Sequence, residues 1–142
     1  MAAETRLDEI FERSSPLARR LAAEGANYPP QQVIERARQL IPRLSEEEKV
    51  ATLNAHPPIG ARAGEMSDRS RREQGDEEVA ELEELNRAYE RRFGFRFVVF
   101  VNRRPRSEIA RVLRERLGRT REEEMAAGLD AIVEIAADRL RS

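Results

Sequence analysis

Three features of this 142-residue sequence predict an all-α fold. Apolar residues recur at three- and four-residue steps along most of the chain. Serine or threonine stands three residues ahead of glutamate at two helix starts. Only one short run has the continuous apolar character of a strand, and a lone strand cannot build a sheet. The expected architecture is a single-domain bundle over residues 1–142, with six to eight helices and one buried extended segment. A chain of about 150 residues removes roughly two-thirds of its unfolded surface from water, so one core needs no disulfide or metal to support it.

Leu7, Ile10 and Phe11 have helical spacing. Ser15-Pro16 is an N-cap followed by proline at the first helical position, and it opens a second helix with Leu17 and Leu21. After the loop from Gly25 to Pro30, the residues Val33, Ala37, Leu40, Ile41 and Leu44 mark one face of a longer helix that Pro42 kinks or shortens. Ser45-x-x-Glu48 is a capping box, and its helix runs inward through Val50 and Leu53 until Pro57 and Pro58 stop it.

From Gly60 to Glu78 there is almost no apolar side chain, which predicts a loop or lid with one short helical turn. Val79, Leu82, Leu85 and Tyr89 then predict a helix of about four turns ending near Gly94. The run from Phe95 to Val101 is the extended segment. Pro105 opens a helix carrying Ile109, Val112, Leu113 and Leu117, which Gly118 ends. Thr120-x-x-Glu123 is the second capping box. It starts a last helix whose expected buried face is Met125, Leu129, Ile132, Ile135, Ala136 and Leu140.

Composition narrows the chemistry. There are 26 basic and 27 acidic residues, a net charge of −1, with the signs mixed along the chain. Such a field gives no pull toward nucleic acid or an anionic membrane. The absence of cysteine excludes thiolate catalysis and cysteine-ligated metal, and points to a reducing, cytoplasmic compartment. Neither a signal-peptide core nor a run approaching 20 apolar residues is present, so no membrane association is expected. With one histidine the usual tetrahedral zinc site cannot be assembled, and no metal is expected. Glycine-rich phosphate loops are missing. Lys49 is the only lysine and follows three glutamates in a solvated first turn, unlike the desolvated lysines of Schiff-base enzymes.

A polar island remains. His56 ends an apolar helix, and Ser70, Glu73 and Gln74 lie in the stretch beyond it. Histidine is the side chain best suited to move a proton near neutral pH, and a carboxylate fixes its tautomer. Structural readings compete at each position. A histidine before Pro-Pro also serves as a helix C-terminal cap, and Arg139 in a last turn suits the helix dipole without any further role. The aromatic run around Phe95 reads as core, and Arg103 to Arg106 as a solvated turn.

Taken in order, His56-Pro-Pro-Ile-Gly60, Ser70-x-x-Glu73-Gln74 and Leu85-Asn86-x-x-Tyr89-x-x-x-Phe93-Gly94-Phe95-x-Phe97 resemble the 2-oxo-4-hydroxy-4-carboxy-5-ureidoimidazoline (OHCU) decarboxylase family of uric acid breakdown. The likeness extends to Phe11-Glu12 with Ser15-Pro16 and to Ile135-Ala-x-x-Arg139-Leu140, so it covers almost the whole chain. It implies an all-helical homodimer that uses no cofactor and acts on a small molecule. It also implies that His56 is the catalytic histidine, with Glu73 as its carboxylate partner. Gln74 and Arg139 would bind substrate, and Pro57, Ser70 and the backbone around Phe97 and Val99 would form the pocket wall. The chain departs from many members in Pro58, where they carry Asp or Arg, and in Gly75-Asp76-Glu77 after the Glu-Gln pair.

The implied reaction suits this composition. Decarboxylation needs an electron sink, commonly a cofactor. OHCU carries its own, a ring C=N attached to the carbon that loses CO2. Readings of other classes are a helical ligand-binding or interaction homologue that kept the pocket without the reaction, and a nucleic-acid footprint at Arg69, Arg71, Arg72 and Arg103 to Arg106, which interleaved acidic residues oppose.

Overall fold

The computed structural model describes residues 7–12, 14–24, 29–57 and 76–141. Among them are seven α-helical segments: α1 (Leu7–Ile10), α2 (Pro16–Ala23), α3 (Pro30–Leu40), α4 (Glu46–Ala55), α5 (Asp76–Phe93), α6 (Arg106–Arg116) and α7 (Arg121–Arg141). The fold is all-α, and no strand occurs among the described residues.

Most boundaries follow from local chemistry. Ser15 caps α2, its Oγ accepting from the Ala18 amide at 3.1 Å. At Ser45 both halves of the capping box form: the Glu48 amide donates to Ser45 Oγ, and the Ser45 amide donates to Glu48 Oε1. Thr120 and Glu123 repeat the arrangement at the start of α7. Pro42 does not kink α3. Lacking an N–H, it sits in a 3-10 turn, Ile41–Arg43, that replaces the last helical turn.

Two expectations are corrected. The helix α5 has 18 residues, a turn more than its apolar spacing suggested, because it begins in the acidic run at Asp76 that the sequence reading assigned to the loop. Acidic side chains at a helix start are favoured by the dipole even without apolar contacts. On α7, Met125, Ile135 and Leu140 are only half-buried, while Gly128, Ala131 and Val133 are buried. The other residues of the 60–78 loop reading, up to position 75, lie outside the described residues.

Helix α7 is the spine of the bundle. Its 21 residues span about 30 Å, and it packs against α1, α3 and α4, while α2 bridges α3 and α4. The approach to α4 is close because position 128 is glycine: a Cβ there would lie 2.7 Å from Leu53 Cδ2. Helices α5 and α6 form a second pair. Gly94 ends α5 at φ 81°, a left-handed conformation that costs glycine least, and its amide donates to the Glu90 carbonyl.

From Gly94 the chain enters the expected extended segment. Phe95, Phe97 and Val98 are buried. The Tyr89 ring lies edge-on to Phe97 with centroids 5.1 Å apart, and it lies 4.6 Å from Phe93. Beneath this cluster is a buried polar network. Tyr89 donates to Glu124 Oε1 at 2.8 Å, and Arg116 Nε donates to the same oxygen at 2.6 Å. The Arg116 guanidinium also stacks over Phe97, 4.7 Å from its centroid. Burial, reinforced by the hydrogen bond to Glu124, pushes the Tyr89 hydroxyl well above its ordinary pKa, so it stays protonated and donating.

Candidate active site

His56 is the C-cap residue of α4, with extended backbone, φ −74° and ψ 138°. Its position follows from the sequence because the 10-residue helix α4 ends where two prolines follow. The cap is reinforced from a distance. Arg96, in the extended segment, donates from Nη1 to the carbonyls of both Asn54 and His56 at 2.8 Å. Its backbone amide donates to Asn54 Oδ1 at 2.9 Å. The orphan carbonyls at the end of α4 are thus satisfied by a cation, which also suits the negative end of the helix dipole.

Around the imidazole the bundle leaves a cleft of about 250 Å3, its open mouth included. Its polar lining among the described residues is Glu12, Ser15, Thr52, His56 and Arg139. Ile10, Ile132 and Ile135 are part of the apolar wall. The Thr52 hydroxyl donates to the Glu48 carbonyl one turn back at 2.8 Å, which fixes its rotamer. Ser15 Oγ is engaged as the α2 cap.

Helix packing brings the rest together. Arg139 comes from the last turn of α7, where its Nη1 donates to the Ile10 carbonyl at 3.1 Å. Glu12 comes from the turn between α1 and α2, anchored by the buried Ile10, Phe11 and Ser15 on either side. Its Oε1 lies 3.5 Å from Arg139 Nη1 and 3.9 Å from His56 Nδ1. All three side chains are partly exposed, His56 at 17%, Arg139 at 28% and Glu12 at 31%. A proton-transfer group, a carboxylate and a guanidinium therefore share one solvent-connected cleft. That set can bind an anion and move a proton.

Of the residues expected at the site, His56 and Arg139 are brought together. Pro57 is the exposed residue directly after His56. Phe97 turns its ring into the core against Tyr89 and Arg116, and Val99 is half-buried; neither side chain belongs to the cleft lining given above. Their backbone is nonetheless tied to the site, since Arg96 beside Phe97 holds the His56 carbonyl. Ser70, Glu73 and Gln74 lie outside the described residues. Glu12 was not singled out from sequence, although it belongs to the Phe11-Glu12-x-x-Ser15-Pro16 run. It is 44 positions from His56, and no local pattern pairs the two.

The chain as a whole is similar to proteins of one family. The family model for OHCU decarboxylase matches residues 1–141. A 2-oxo-4-hydroxy-4-carboxy-5-ureidoimidazoline decarboxylase of Haloferax volcanii is 30% identical over 140 residues, covering 93% of this chain and 83% of that protein. The uric acid degradation bifunctional protein PucL of Bacillus subtilis is 32% identical over 142 residues, which cover 94% of this chain and 28% of that longer protein. A crystal structure of OHCU decarboxylase in the presence of (S)-allantoin superposes with a TM-score of 0.71 at 23% identity, covering 89% of both chains. The chain belongs to the OHCU decarboxylase family.

Proposed function

We propose that this chain is an enzyme, a carboxy-lyase that converts OHCU to (S)-allantoin in uric acid degradation, and that the cleft between α1, α4 and α7 is where it does so. The observation that carries this reading is the meeting of His56 and Arg139 at one cleft, in a chain of the OHCU decarboxylase family. In this mechanism Arg139 holds an anionic or carbonyl group of the substrate by charge-assisted hydrogen bonds. His56, with Glu73 as a carboxylate partner, hydrogen-bonds at the hydroxyl- and carboxylate-bearing carbon. The bond to the carboxylate breaks, CO2 leaves, and its electron pair forms a C=C bond to the ureido-bearing carbon while the former C=N nitrogen takes the charge and a proton. The hydroxyl gives up its proton as that oxygen becomes the ring carbonyl, and a proton delivered to one face of the ureido-bearing carbon completes (S)-allantoin. Ser70, Gln74, Pro57 and the backbone at Phe97 and Val99 complete the substrate contacts.

No cofactor takes part, because the substrate supplies the electron sink. The same reading makes residues 1–142 one domain, the working unit a homodimer and the compartment the cytoplasm. The family resemblance supports the dimer, and the lack of cysteine supports a reducing compartment. No helix among the described residues is long and apolar enough to cross a membrane.

Circular dichroism of allantoin formed from freshly prepared OHCU tests the reading. The wild type is expected to give a single hand at a rate far above the spontaneous, racemic reaction. Folded His56→Asn is expected to return the reaction to the racemic background. Single-handed product at the wild-type rate from that variant would remove His56 from the mechanism. A wild type that binds (S)-allantoin without forming it would be a ligand-binding homologue instead.

A further inference from the structure

Resting on the proposed function, the geometry points to a third member of the site: Glu12 is a positioning residue that orients the imidazole of His56 and the guanidinium of Arg139 with one carboxylate oxygen. Its Oε1 faces His56 Nδ1 at 3.9 Å and Arg139 Nη1 at 3.5 Å. In an imidazole ring a carboxylate on the Nδ1 side favours the Nδ1–H tautomer and leaves Nε2, across the ring, as the basic nitrogen. Arg139 is held at Nη1 from two directions, by Glu12 and by the Ile10 carbonyl at 3.1 Å. A guanidinium fixed at one nitrogen presents its remaining N–H fork in a set direction, which is what bidentate recognition of an anion needs.

Partly exposed contacts of this length add little to fold stability. The tight, two-pronged ion pairs of this chain lie away from the cleft lining. Arg36 binds Glu24 through Nε and Nη2 at 2.8 and 2.6 Å, and Arg20 binds Glu48 at 2.9 and 2.8 Å. Glu12 instead spreads one oxygen over an imidazole and a guanidinium, on the wall of a cleft. Contacts of catalytic groups are often long in this way and tighten in the substrate complex. The backbone supports the placement: the Ser15 amide donates to the Glu12 carbonyl at 3.0 Å, and the buried Phe11 and Ser15 flank the turn.

The test uses the full chain and two readouts. His56 is the only histidine, so 15N NMR of histidine-labelled protein reports one imidazole and the ratio of its two neutral tautomers. In the wild type the Nδ1–H form is expected to dominate. Glu12→Met, close in size but with neither charge nor acceptor, should lower that ratio at least threefold. It should also reduce kcat for OHCU by about ten- to a hundredfold, the range seen when groups that orient a functional histidine are removed. Glu12→Gln, which keeps one acceptor oxygen, should regain part of both. An unchanged tautomer ratio in folded Glu12→Met overturns the inference whatever the rate does, and so does a changed ratio with kcat untouched. A wild type that forms no (S)-allantoin defeats the proposed function separately, since the tautomer ratio is read without turnover.

Discussion

Two groups of polar side chains in this bundle use the same chemical parts and put them to opposite ends. In the core, Glu124 is fully buried and its Oε1 takes hydrogen bonds from Tyr89 and Arg116 at 2.8 and 2.6 Å, while Oε2 faces Arg119 at 3.3 Å. At the cleft, Glu12 meets Arg139 and His56 at 3.5 and 3.9 Å with about a third of its side chain exposed. A buried carboxylate needs counter-charges close by, because an unpaired charge away from water costs several kcal/mol, and two guanidiniums supply them here although Oε2 makes no hydrogen bond. A carboxylate at a cleft mouth is under no such demand and keeps capacity for a ligand. The difference separates a network that fixes the extended segment from one that can act on a substrate.

The largest expected effect tests the core side of that contrast. Glu124→Ala leaves the Arg116 guanidinium buried without its counter-charge and should cost about 3–5 kcal/mol, read as a fall in the urea unfolding midpoint. A loss below about 1 kcal/mol, the range of exposed pairs, would put Glu124 in the same class as Glu12 and erase the distinction.

Next comes the contact that brings the two halves of the cleft together. Gly128→Ala sets a Cβ 2.7 Å from Leu53 Cδ2, and Leu53 is itself fully buried, so its side chain must shift within the core. Overpacking of this kind costs about 1–3 kcal/mol, while the gain in helix propensity returns up to roughly 1 kcal/mol. Net destabilisation is expected by thermal unfolding. A more stable variant would show that α4 and α7 have slack at this crossing.

Arg139→Ala should change stability by less than about 1 kcal/mol, since it removes a partly exposed ion pair and one hydrogen bond. It should nevertheless raise KM for OHCU strongly. Comparable losses of stability and of substrate binding would instead make Arg139 a structural cap for α1.

The smallest effect belongs to an exposed pair whose side chains belong to neither network. Two hydrogen bonds from Arg20 hold the Glu48 carboxyl at about 2, below its ordinary 4.5. A depressed carboxyl stabilises the fold fully above its unfolded value and loses that contribution as pH falls through the folded one. The difference in melting temperature between the wild type and Arg20→Ala should be constant above about pH 5, and should shrink as pH falls from 4.5 toward 2. A difference that persists at the acid end would mean that Arg20 acts through packing rather than charge.

The sequence made the helix framework legible because capping is local. Ser15, Ser45 and Thr120 each satisfy amides within three residues of themselves, so spacing alone located three helix starts. The extended segment was legible for a similar reason, as an unbroken apolar run after Gly94. Glu124 was not, because it closes a run of three glutamates that reads as a solvated first turn. The available signal was periodic: Glu124, Gly128 and Ala131 recur at four- and three-residue steps on the buried face of α7. At the site, His56 stood out as the one histidine of a polar island and Arg139 was reached through family resemblance, while Glu12 depends on the packing of α1 against α7, a contact across 127 positions that no local pattern records.

The central claim is that a small ligand of the (S)-allantoin type sits against His56. Because the chain has a single histidine, its two imidazole C–H resonances report that spot alone. Titration with (S)-allantoin should move both signals along one saturable curve in the wild type and leave them in place in Arg139→Ala. Saturable binding seen by calorimetry while the imidazole signals stay fixed would place the ligand elsewhere and contradict the account.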